Sequence, residues 1–334
     1  MNHFGKLAAC RTWQFGATNT SAGGLRSAGG SGPPQVRWPQ TLVISVATLS
    51  AVIAARAAAV DGVKLLSHAP VVITAPGTYR LKKNLTVDQN TTAITVQAND
   101  VTIDLNGFSI LGPCTIAVNP PCSPTGTGSG IVATGSAKNV TVLNGTVRGM
   151  GGNGISVNGG SVVGVSTLNN GGSGIFGVDN VIDSTSALNG ADGMFVAGAV
   201  SGSAAVGNVS DGIDCNFTGS VTNSLAELNG QKGINDCLTV SASTANSNGF
   251  YGIVAGVKTP LTIPATVVTG CTAWNNLSTG IYASTVTDST AANNHVAGID
   301  ATAVSGCTAI SNTTLQINAT GVSGRNTCNG SACP

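Results

Sequence analysis

Residues 181–194 read Val-Ile-Asp-Ser-Thr-Ser-Ala-Leu-Asn-Gly-Ala-Asp-Gly-Met, residues 200–213 Val-Ser-Gly-Ser-Ala-Ala-Val-Gly-Asn-Val-Ser-Asp-Gly-Ile, and residues 221–234 Val-Thr-Asn-Ser-Leu-Ala-Glu-Leu-Asn-Gly-Gln-Lys-Gly-Ile. Laid one on another, they share a valine, a small residue five positions on, an asparagine eight on, and glycine twelve on with Ile or Met after it. The pattern extends both ways. Gly followed by Ile or Met recurs at 154, 174, 193, 212, 233, 252, 280 and 298, in steps of 20, 19, 19, 21, 19, 28 and 18 residues. The valine column runs Val162, Val181, Val200, Val221, Val240, Val268, Val286 and Val304, and the asparagine column Asn170, Asn189, Asn208, Asn229, Asn248, Asn276, Asn294 and Asn312. Such a unit is too short to bury its own apolar face, so successive turns must stack into a solenoid of parallel strands. Gly, Asn and Asp at the corners tolerate the left-handed backbone that sharp bends need. The asparagines should form a ladder, hydrogen-bonded from coil to coil.

Composition agrees. Of 334 residues 46 are glycine, 8% are charged and 4% aromatic, with 42% hydrophobic and a single glutamate. Disorder needs low hydrophobicity and high net charge, and a helical bundle needs Leu, Glu, Lys and Arg. Neither fits. Five basic residues and no acid lie in the first 59 positions, whereas 13 acids face nine basic residues beyond. A weakly acidic body argues against a nucleic-acid partner, which demands a dense Lys/Arg face.

Residues 1–59 read as a leader. A basic stretch runs to Trp38, an apolar run from Thr41 to Ala55 follows, and small residues end it at Ala59. The run is shorter than the roughly 20 residues that span a bilayer, which predicts a cleaved signal peptide, no membrane span afterwards, and a secreted or periplasmic protein of a bacterial envelope. The expected organisation is leader 1–59, irregular coils 60–160, regular repeats 161–320 and a tail 321–334. The insertion 255–266 should protrude from one edge.

Thr78-Tyr79-Arg80-Leu81, Val101-Thr102-Ile103-Asp104-Leu105-Asn106-Gly107 and Asn139-Val140-Thr141-Val142-Leu143-Asn144-Gly145, together with the repeats, resemble bacterial right-handed parallel β-helix repeat proteins of the pectate-lyase-like (pectin lyase-like) superfold. The resemblance covers about residues 70 to 320. It implies an all-β, right-handed parallel β-helix with coils of about 19 residues. It does not select an activity, because that superfold holds lyases, hydrolases, epimerases and adhesins.

Eight cysteines remain after the leader, an even number that suggests disulfides in an exported chain. Cys215 and Cys237 follow Gly-Ile on adjacent coils, Cys114 and Cys122 would close a loop, and Cys328 and Cys333 would tie the tail. Cys271 and Cys307 stand two coils apart, about 9.6 Å, too far for a bridge, so they should be buried thiols. With no CxxC and few histidines, no metal site is expected.

Chemistry is thinner. Asp192, Asp211 and Lys232 immediately precede the repeat glycine on three consecutive coils, placing two acids about 5 Å apart with a lysine beyond. That spacing suits a retaining glycosidase pair, while a lyase would use Lys232 as base, with calcium as the one cofactor such chemistry would recruit. Two positions after the glycine, an outward column carries Phe176, Phe195, Asp214, Asn235, Tyr282 and Asp300. Aromatic rings and polar groups on one sheet would suit a polysaccharide or cell-surface glycan. The expected function is a secreted protein that binds or modifies polysaccharide, as lyase or glycoside hydrolase if it is an enzyme. Its alternative is a non-catalytic surface, adhesion or structural solenoid.

Overall fold

The computed structural model describes residues 62–114, 126–256 and 265–333. The leader, Cys122 with most of its loop, and the tip of the 255–266 insertion lie outside the described residues.

The chain is an all-β parallel β-helix. Three ladders of short parallel strands run its length. The valine ladder begins with Lys64, Tyr79, Ile103 and Val142 and continues through Val162, Val181, Val200 and Val221 to Val322, thirteen rungs in register. The isoleucine ladder passes from Val71 through Ile94, Ile131, Ile155 and Ile175 to Ile317. The small-residue ladder starts at Leu85, Ile110 and Val147, then carries Thr167, Ser186 and a run of alanines to Ala309 and Cys328. The ladders cross residue 160 without a break: Val140–Arg148 pairs along its length with Gly160–Leu168.

Core packing explains why the repeat becomes regular where it does. In the early coils large apolar residues fill the interior, and Met150, fully buried, stands where later coils have asparagine. From Asn170 onward the small-residue ladder shrinks and amide side chains take the space. Each Nδ2 donates once to the next Asn Oδ1, at 2.9–3.0 Å from Asn170 to Asn312, and once to a carbonyl of the preceding coil, as Asn229 does to Ala205 O at 3.1 Å. Each Oδ1 also receives the backbone N–H of the coil before, so every amide is satisfied although the column is 0–5% exposed. Buried polar groups cost little only when partnered in this way. The Met150 N–H opens the ladder and Gln316 Oε1 closes it.

The glycine before each isoleucine is required by this ladder. A Cβ at Gly233 would stand 2.5 Å from Asn248 Nδ2 and 2.7 Å from Gly252 O.

A second ladder was not anticipated. Three residues after the column valine, Ser184 N donates to Ser203 Oγ, Ser203 N to Ser224 Oγ, and Ser224 N to Ser243 Oγ at 3.1–3.3 Å. Cys271 and Cys307 occupy the same column as buried free thiols, and burial pushes both thiol pKa values up, away from reactive thiolate.

Candidate functional site

The isoleucine strands carry the candidate site on their outer side. Ile points into the core, so the next residue faces out, and registered pairing aligns Ser156, Phe176, Phe195, Asp214 and Asn235 on consecutive coils. Val254, Tyr282 and Asp300 continue the column. The residue before each glycine borders this strip and supplies Asp192, Asp211, Lys232 and Tyr251.

Asp192 Oδ1 accepts the N–H of Asp211 at 3.1 Å, and Asp211 Oδ1 accepts that of Lys232 at 2.8 Å. Each acid thus uses one oxygen to cap the next coil. Asp211 Oδ2 accepts from Asn235 Nδ2 at 2.8 Å, the same Nδ2 reaches Asp214 Oδ2 at 3.2 Å, and Lys232 Nζ donates to Asn235 Oδ1 at 2.9 Å. Asn235 is therefore the hub, and it is only 4% exposed. It had been expected on the open strip. Lys232 and the two carboxylates close over it, and Val254, the next residue in the same register, is 6% exposed.

Burial raises the pKa of Asp192, with the charges of Asp211 and Asp214 adding to the rise and the Asp211 N–H opposing it. Burial likewise raises Asp211, against the Lys232 N–H and charge, and Asp214 pushes it further. Asp236 is raised by burial in the same neighbourhood. Such crowding holds carboxyls ready to carry a proton nearer neutrality than usual.

A disulfide fixes the cluster from beneath. Cys215 and Cys237 are bonded, with Cα atoms 4.9 Å apart and both side chains fully buried. They directly follow Asp214 and Asp236, so the bridge ties together the two coils whose side chains meet at Asn235. Cys328 and Cys333 are also bonded, pinning a short antiparallel hairpin at the tail.

Aromatic side chains flank the charged centre. On one side Phe176 and Phe195 stack with centroids 5.0 Å apart and planes 17° from parallel. On the other Tyr251 meets Phe250 edge-on at 4.5 Å and Tyr282 at 6.2 Å. The strip from Phe176 to Tyr282 spans five rung steps, about 24 Å at the usual interstrand spacing. Asp300 lies one coil further, beside Asn318, whose Nδ2 donates to it at 3.2 Å, and the structure does not bring it to the cluster.

Of the residues singled out by sequence, Asp192, Asp211, Asp214, Lys232 and Asn235 converge, Phe176 and Phe195 border them, and Tyr282 stands on the far side. Phe250, Tyr251 and Asp236 were missed. Tyr251 was legible, since the column Asp192, Asp211, Lys232 continues to it one coil on. Asp236 was not, because a turn after Asn235 brings it back. Among the described residues no group of three or more His, Cys, Asp or Glu is arranged to hold a metal ion. A recess lined by Lys138, Asn158, Asp179 and Asn180 lies on a different corner and shares no residue with the cluster.

No protein-family model matches the chain, and no curated protein matches it. Solved structures do. The A-module of mannuronan C-5 epimerase AlgE6 from Azotobacter vinelandii is similar over 85% of this chain and 94% of its own, at 14% identity and a TM-score of 0.47. The Dettilon tailspike protein is similar over 80% of this chain and 61% of its own, at 12% identity and a TM-score of 0.43. The periplasmic alginate epimerase AlgG is similar over 75% of this chain and 71% of its own, at 13% identity and a TM-score of 0.32. These are likenesses of backbone course, and no residue role is transferred from them.

Proposed function

We propose that the protein binds polysaccharide along the strip from Phe176 to Tyr282. The observation that carries this reading is the order of side chains on one ladder: a stacked aromatic pair, then carboxylates with a lysine and an amide, then a second aromatic group. Sugar rings stack their CH faces on aromatics and satisfy their hydroxyls with carboxylates and amides, and a rigid sheet holds such groups at a fixed pitch. Export to the periplasm or cell surface accords with the Cys215–Cys237 and Cys328–Cys333 disulfides.

Binding is favoured over turnover by how the cluster is engaged. Both oxygens of Asp211 already accept hydrogen bonds, and Lys232 Nζ is held by Asn235. If the protein also modifies its ligand, Asp192 and Asp211 are the acid–base pair of a hydrolase, or Lys232 the base of a lyase. A second reading, a non-catalytic adhesive or structural solenoid, draws on the scarcity of charge.

The test is a polysaccharide panel on the full-length protein, with and without calcium, reading binding, new reducing ends and absorbance of unsaturated products. Binding without new ends supports the proposal as stated. Unsaturated ends would make the protein a lyase centred on Lys232, and reducing ends alone a hydrolase centred on Asp192 and Asp211. Silence from a protein that melts cooperatively would transfer the assignment to the structural solenoid.

A further inference from the structure

We infer that the ligand of this strip is a polysaccharide bearing free amino groups, an inference that rests on the carbohydrate reading above. It is carried by the distribution of charge along the solenoid. Between residues 161 and 320 the sequence places nine acids against two lysines, with no arginine. Lys258 lies outside the described residues, and the other lysine, Lys232, is held by Asn235. A polyuronate would therefore approach a surface of its own sign, on which, among the described residues, nine acids stand against one lysine.

An amine-bearing chain meets the opposite situation. Asp192 spends one oxygen on the Asp211 N–H, and its Oδ2 has no hydrogen-bond partner among the described residues. It stands three residues before Phe195 on the same coil, and Phe195 stacks on Phe176 and pairs in register with Asp214. A sugar resting on Phe176 and Phe195 would present substituents to Asp192, and an ammonium there would form a charge-assisted hydrogen bond while offsetting the repulsion among Asp192, Asp211 and Asp214. Sugar-face stacking on the phenylalanines and a cation at Asp192 place both halves of an amino sugar on adjacent coils.

Titration calorimetry of the full-length protein with a glucosamine hexasaccharide, its fully N-acetylated counterpart and a galacturonate hexasaccharide tests this. The amine chain should bind at least about tenfold tighter than the acetylated one at ~20 mM salt, with the gap narrowing at ~0.5 M salt, where screening shortens the reach of the carboxylates. Asp192→Asn keeps the oxygen that accepts the Asp211 N–H and should cut the amine-to-acetyl affinity ratio by about threefold, as a part-exposed ion pair does. Equal affinity for the amine and acetylated chains, or preference for the uronate, overturns the amine inference and leaves the carbohydrate face standing. No binding to any of the three, with a cooperative melting transition intact, overturns both.

Discussion

The Lys232 ammonium is linked to the Asp211 carboxylate through an amide: Nζ donates to Asn235 Oδ1 at 2.9 Å, and Asn235 Nδ2 donates to Asp211 Oδ2 at 2.8 Å. A lysine and a carboxylate on adjacent coils are thus joined by a buried linker and not by a direct ion pair. Among the described residues the one salt bridge is Arg80 to Asp104, at 2.9 Å and far from this cluster. Removing the linker should hurt more than removing either charge. Asn235→Ala leaves Asp211 Oδ2 buried without a donor, at an expected cost of about 1–3 kcal/mol at neutral pH. The deficit should shrink in acid, where Asp211 is protonated. Chemical denaturation at pH 7 and pH 4 checks this, and an equal loss at both would mean that Asn235 acts by packing alone.

The raised carboxyls give a second, signed expectation. Asp192, Asp211 and Asp236 lie above the ordinary value of 3.8 in the folded chain, so the fold binds their protons more tightly than the unfolded chain does. Their contribution to stability is fully present below that value and is lost as pH rises through the folded values. Asp192→Asn removes one such group and keeps the acceptor for the Asp211 N–H. Its melting temperature relative to the parent should climb between pH 4 and pH 7. A difference that stays flat or falls over this range would contradict the burial argument.

Backbone strain is written into one corner. Leu228 adopts φ +57° and is 60% exposed, so its side chain gains little from a conformation that disfavours it. In the same column Asn169, Asn275 and Asn293 adopt that conformation with a residue suited to it. Leu228→Asn should stabilise by about 1 kcal/mol, raising the melting temperature by about 1–2 °C in a chain of this size. A drop would indicate that Leu228 contributes packing that its exposure conceals.

The disulfide beneath the cluster should govern both stability and binding. Cys215 and Cys237 are 22 residues apart, and replacing both with serine should cost about 3 kcal/mol through the freed unfolded chain. Because the bridge holds the backbones of Asp214 and Asp236, glycan affinity should fall as well, measured well below the melting temperature. Unchanged affinity in a folded double variant would show that hydrogen bonds alone position the cluster.

The valine, asparagine and glycine columns were legible because each repeats one chemical demand once per coil. A valine must fill the core, an asparagine must pair with its copy 18 to 28 residues on, and a glycine must leave room for that amide. The pairing of Cys215 with Cys237 followed from the same coil arithmetic. The serine ladder is not legible in the sequence, because serine is a common turn residue and nothing in the identity of Ser184, Ser203 and Ser224 distinguishes a hydroxyl that accepts from the neighbouring coil from one facing water. The site was harder to read for a different reason. Asn235 belongs to an outward column by register, yet neighbouring side chains bury it, and side-chain closure has no period.

The most direct test of the carbohydrate face measures the affinity of the best-binding glycan from the panel for the parent protein and for Phe195→Ala, Tyr251→Ala and their combination. The same variants should be compared for melting temperature. The strip predicts that each single change weakens binding several-fold, and that the double change weakens it by about the product, because the rings sit on separate coils too far apart to touch. Affinity unchanged in the double variant, with the fold intact, would contradict the assignment of this face.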